Sequence, residues 1–172
     1  MSYDQQFRDA LVAETRRRLF EESIPRIKKC LAQLNEQEIW YRPNGNSNSI
    51  GNLVLHLCGN ARQWIVSGLG KAPDRRLRQA EFDERGPVPT QKMLEDLDVL
   101  VADINVVLDH LKPEDLIRLH PVQVFEESGL SILVHVVEHF SYHTGQITYA
   151  VKALKDIDTA YYGQLNLERK ED

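Results

Sequence analysis

The sequence predicts an all-α fold, a four-helix bundle. Four long stretches repeat apolar residues at three- and four-residue steps. Turn-forming residues separate those stretches, and no segment carries a convincing strand pattern. A chain of 172 residues suits one domain, here 1–172, and can bury a core without disulfide staples.

The first helical stretch covers about residues 3–34, with Phe7, Leu11, Leu19, Ile24, Ile27, Leu31 and Leu34 on one face. Pro25 falls inside it and is expected to kink or split the helix. Residues 36–40 add a short turn. The run Arg42-Pro43-Asn44-Gly45-Asn46-Ser47-Asn48-Ser49 is turn chemistry that ends in N-cap residues.

The second helix spans about 50–66, with Ile50, Leu53, Val54, Leu57, Ala61, Trp64 and Ile65 as its apolar face, and Gly68, Gly70 and Pro73 as its end. The connection over 71–89 is the longest. It suits a crossover, a lid over a site, with the acidic stretch 81–85 as gate, or a plain solvated loop. The third helix starts at Thr90 as N-cap and runs to Leu111 through Met93, Leu97, Leu100, Ile104 and Val107, until Lys112-Pro113 stops it. A loop over 114–128, locally extended near 120–125, leads to the fourth helix at about 130–154.

Composition narrows the function. Charged residues make up 27% and the formal net charge is −5, which disfavours binding to a nucleic-acid backbone. Arg16-Arg17-Arg18 sits among Glu14, Glu21 and Glu22 and reads as a solvated helix face. The N-terminal residues carry no signal-peptide pattern, and no apolar run approaches the roughly 20 residues that span a bilayer. A cytoplasmic location is expected. Cys30 and Cys58 lie far apart in helical patterns, without Cys-x-x-Cys spacing, and read as buried free thiols.

The chemistry lies in the histidines. Six are present: His56, His110, His120, His135, His139 and His143. His135, His139 and His143 stand at i, i+4 and i+8, so adjacent pairs share one helix face. His135 and His143 are about 12 Å apart along the axis and cannot hold the same ion. With His139 at zero and about 100° per residue, His143 falls near +40° and His135 near −40°. Ile132, Val136, Ile147 and Leu154 lie between about +20° and +80°, so the core is on the His143 side. The pair is therefore His139 and His143, with His135 on a flank.

His56, on the edge of the second helix's apolar face, is the best third ligand. Three nitrogens with open positions are the mark of a catalytic metal site. His110 and His120 read as packing or hydrogen-bonding groups, and the His-Glu-x-x-His zinc-protease pattern is absent. Asn60, one turn beyond His56, either faces the metal pocket or packs. Gln146 either orients a ligand or joins two helices. Tyr142 reads as an interface residue, and Trp40 and Trp64 as core.

Two segments carry a resemblance. Asn48-Ser49-Ile50-Gly51-Asn52-Leu53-Val54-Leu55-His56-Leu57 is similar to the start of the second helix in the DinB/YfiT-like family. Glu138-His139-Phe140-Ser141-Tyr142-His143-Thr144-Gly145-Gln146-Ile147 resembles that family's His-x-x-x-His-x-Gly-Gln signature. The resemblance covers most of the chain and implies a four-helix bundle, often a homodimer. It also implies a metal, zinc or nickel, held by His56, His139 and His143. Characterised relatives include S-transferases and isomerases that use a low-molecular-weight thiol. The expectation is thus a metal-dependent thiol S-transferase acting on a small electrophile. The alternatives are a metal-dependent hydrolase, for which no carboxylate is clearly placed as general base, and a non-catalytic metal-binding stress-response dimer.

Overall fold

Apolar residues on one stripe of each predicted helix meet in one buried cluster, and the chain folds as an all-α bundle with one small β-hairpin. The structure, a computed structural model, describes residues 1–163 and 165–169.

The first bundle helix is made of α1 (Tyr3–Arg16), a π-helical segment (Arg17–Ser23) and α2 (Ile24–Leu31). Its irregularity precedes Pro25 rather than falling on it. Pro25 sits in the first turn of α2, where a missing N–H is tolerated, and the widened π turns before it absorb the change. The helix stops at Leu31, short of Leu34, in two tight turns closed by Gln33 N–H to Cys30 O and Leu34 N–H to Leu31 O. A single turn, α3 (Glu36–Ile39), follows.

The second bundle helix is α4 (Ile50–Ala61) continued by a π-helical segment (Arg62–Leu69). Ser49 caps it as its sequence foretold: its hydroxyl accepts from Asn52 N–H at 3.1 Å while Asn52 Oδ1 accepts from Ser49 N–H at 3.1 Å. The helix runs past Val66, so Gly68 is a buried helical residue and Gly70 is the cap. The π turns carry the chain further before the break.

The long connection is neither an open lid nor a plain loop. It holds a short helix, α5 (Arg78–Asp83), laid against α4. The third bundle helix is α6 (Thr90–His110). Pro89, not Thr90, occupies its cap position, without a side-chain cap bond; Pro89 O accepts from Met93 N–H instead. Beyond a 3₁₀ turn (Pro113–Leu116), β1 (Leu119–Val122) pairs antiparallel with β2 (Phe125–Ser128) where a loop was expected. Each strand has only four residues, and a buried His120 stands where alternation would want an apolar side chain. The fourth bundle helix, α7 (Gly129–Lys155), packs against α2, α4 and both π segments.

Ile132, Val136 and Ile147 are fully buried on α7, as the wheel requires. Leu154, also on that stripe, is 40% exposed because the core ends before the helix does. No helix among the described residues is long and apolar enough to cross a membrane.

Candidate metal centre

Helix periodicity puts His139 and His143 one turn apart on the inward side of α7, and the crossing of α7 over α4 brings His56 to them. One nitrogen of each imidazole lies within 4.8 Å of the others. His56 Nε2 and His139 Nε2 are 2.9 Å apart. His56 is 6% and His143 9% exposed, with His139 between them and half-buried.

His139 and His143 are held as neutral bases. Burial, then the neighbouring His143, His56, His135 and Arg76, push His139 down to about 3. Burial also lowers His143, against the opposing hydrogen bond to Gln146 and together with His56. His143 Nδ1 donates to Gln146 Oε1 at 2.7 Å, which leaves its Nε2 bare. Gln146 thus takes the orienting role, by bonding the ring on its own helix.

This donor set fits a divalent ion. Two nitrogens bound to one ion at about 2.0–2.1 Å stand no more than about 4.2 Å apart, so closure asks only small side-chain adjustments. Neutral imidazoles suit zinc, nickel, copper or iron and give no selectivity by themselves.

The third side of the site is a surprise from the long connection. Glu81, on α5, places Oε2 2.9 Å from His56 Nδ1. Arg76 grips the same carboxylate with two bonds, Nε to Oε1 at 2.7 Å and Nη2 to Oε2 at 2.9 Å. Burial alone would raise the Glu81 carboxyl, but the Arg76 and His56 bonds and charges outweigh it and hold Glu81 below the usual carboxylate range. The expected gate at 81–85 is instead pinned. Asn52 Nδ2 donates to Glu81 O at 2.8 Å and Glu84 O at 2.9 Å, and Arg42 Nη2 donates to Phe82 O at 2.8 Å.

His135 stays out of the cluster. Its ring stacks on Trp64 at 3.7 Å, and its Nε2 accepts from Asn60 Nδ2 at 3.3 Å. Asn60 therefore faces the site through His135, and Trp64 is both core and cleft wall. His110 Nδ1 donates to Val106 O at 2.8 Å and His120 Nε2 to Asp115 O at 2.9 Å, each away from the cluster. Tyr142 is 63% exposed beside His143.

A cleft of about 340 Å³ opens beside His56 and His139, walled by Trp64, Phe125 and His135, with Arg78 and Glu127 also lining it. A larger groove of about 960 Å³ lies on the opposite face of α7 and contains no histidine, so chemistry rather than volume marks the site. The chain's own thiols are poor nucleophiles here. Burial pushes Cys58 up to about 12, and Cys30 is buried against Tyr161, 3.1 Å away.

Residues 8–167 match the family described as "Protein of unknown function (DUF1572)". Among solved structures, a DinB-like protein of Bacillus subtilis, YjoA, is 14% identical over 89% of this chain and 97% of its own, with a TM-score of 0.65. A conserved protein from Enterococcus faecalis is 18% identical over 91% of this chain and 99% of its own, with a TM-score of 0.67. No curated protein matches the sequence. At these identities the likeness establishes the fold.

Proposed function

The chain belongs to the family DUF1572 and shares its fold with a DinB-like protein, and on that premise we propose that it is a divalent-metal protein that transfers a low-molecular-weight thiol to a small electrophile. The observation that carries the reading is the convergence of His56, His139 and His143 beside an open cleft, with His139 and His143 kept uncharged by burial. Zinc or nickel held there would supply a positive charge that favours the thiolate form of the bound thiol.

The protein's own groups account for the rest. The three imidazoles would hold the ion, and Trp64 and Phe125 give the cleft an aromatic wall. In the reaction the thiol loses its proton to solvent. Its sulfur lone pair then forms the new bond to the electrophilic carbon, and the leaving group departs with the pair that bound it. In this reading the sulfur comes from an external thiol, because Cys30 is buried and the partly buried Cys58 is pushed up to about 12.

Hydrolysis is the second reading, and Glu81 bears on it. A carboxylate does stand beside the histidines, contrary to the sequence expectation. Its two bonds from Arg76 and its low pKa make it a hydrogen-bond acceptor rather than a proton carrier. That favours thiol transfer.

We further read the outward face of α7 as a homodimer contact. Val134, Tyr142 and Tyr149 are 52%, 63% and 78% exposed along it. Glu138 and Lys152 lie equally far on either side of Gly145, where nothing approaches within 4 Å of an added Cβ. An antiparallel pairing about Gly145 sets Glu138 of one copy against Lys152 of the other.

Elemental analysis beside the His139→Ala/His143→Ala double variant tests the metal. About one equivalent is expected in the native chain and none in the variant. A screen of the loaded protein with thiols and electrophiles follows. Ester or amide cleavage without added thiol would favour the hydrolase, and metal without any turnover would leave a binding protein.

A further inference from the structure

The connection between the second and third bundle helices places a buried Arg–Glu pair against one candidate ligand and no other. Arg76 has a side chain 4% exposed and Glu81 one 11% exposed. Their partner is His56, at the nitrogen that faces away from His139 and His143. We propose that Glu81 is the positioning residue of the metal centre, and that residues 71–89 form an arm whose seating decides whether His56 can bind metal. The proposal rests on the metal-centre reading above.

The argument is about one proton. A neutral imidazole carries a single N–H, and whichever nitrogen holds it is lost as a ligand. Glu81 Oε2, at 2.9 Å, is a charged acceptor and draws the proton to Nδ1, leaving Nε2 bare and aimed at His139. Arg76 Nη2 also lies 3.1 Å from Nδ1. It has only hydrogens to offer, so it competes for the opposite tautomer, with Nδ1 as acceptor and Nε2 protonated. The carboxylate occupies that guanidinium with two bonds and wins the nitrogen. Remove the carboxylate, and Arg76 is left to turn His56 the wrong way round.

The arm's seat is built for this contact. A Cβ at Gly59 would lie 2.0 Å from Glu81 Oε1, so only glycine leaves the volume the carboxylate fills. Asn52, fully buried at the start of α4, ties the arm's carbonyls at 81 and 84 to the same helix that carries His56. Ligand and positioning group are thus referenced to one rigid element.

The test uses two variants that disturb the carboxylate differently: Glu81→Ala deletes it and Gly59→Ala displaces it. Long-range proton–nitrogen correlation of the imidazoles in the metal-free chain reads the tautomer, and chelator competition with zinc alone reads affinity. Circular dichroism and a thermal melt verify that each variant is folded. Native His56 is expected as Nδ1–H, changing toward Nε2–H in both variants, with zinc affinity reduced about 10–100-fold. A folded variant that keeps Nδ1–H, or binds zinc within about twofold of native, overturns the proposal while the metal centre stands. A native chain that binds no zinc overturns the metal-centre reading and the positioning role with it.

Discussion

The site is assembled from two regions built on opposite rules. Helix α7 supplies His139 and His143 through regular periodicity, and their relation follows from 3.6 residues per turn. The arm over 71–89 supplies Arg76 and Glu81 from nearly irregular backbone, and no spacing rule connects either residue to His56. The helix contributes two of the three clustered histidines, at a spacing that is plain in the sequence. The arm contributes the charge and hydrogen bonding that orient one of them. A histidine cluster and the groups that orient its rings need not come from equally legible parts of a chain.

That contrast is broken most forcefully at Arg76. Replacing it as Arg76→Met leaves the Glu81 carboxylate buried without its cation, and unfolding free energy should drop by about 3 kcal/mol. Urea denaturation of the metal-free chain measures this, and an unchanged midpoint would make the arm an ornament rather than a packed part of the fold.

Acid sharpens the comparison from the α7 side. The folded, metal-free protein keeps His139 neutral down to about 3, whereas an unfolded histidine takes up its proton near 6.5. The unfolded state therefore binds more protons in that window, so stability is complete above about 6.5 and is lost as pH falls toward 3. His143 and His135, both lowered, push the same way. Urea midpoints should decline steadily with acid, and His139→Ala should flatten the decline; a profile indifferent to that substitution would refute the assignment.

The smallest expected effect is the most discriminating. His135→Ala removes a ring next to His139 but outside the three-histidine cluster. Metal content by elemental analysis should stay at the native level, while packing around Trp64 and the shape of the cleft change. Loss of the ion would mean that the pairing on α7 is His135 with His139.

The bundle was legible because its cores are periodic. Met93, Leu97, Leu100 and Ile104 follow the helical rhythm and are all fully buried. That His139 and His143, rather than His135, lie beside His56 was legible for the same reason, since the clustered pair points where the core residues point. Three features escaped. The π-helical segments shift helix ends without a compositional mark. The hairpin hides its alternation behind a buried histidine, whose ring bonds Asp115 O at 2.9 Å. Glu81 lies in a charged stretch where nothing distinguishes it from Glu84. The clue was indirect: Asn52, third residue of α4, completes the capping box with Ser49 and also holds the arm.

Gly59 carries a consequence for how this chain can vary. Its missing side chain is the space that the Glu81 carboxylate occupies. Positions 59 and 81 are therefore sterically linked, although neither belongs to the three-histidine cluster and they sit on different segments. A side chain at 59 meets the far end of Glu81, so the carboxylate must move from its present contact with His56. Relatives can then be sorted by that pair, before any histidine is counted, into those that keep this arrangement and those that do not.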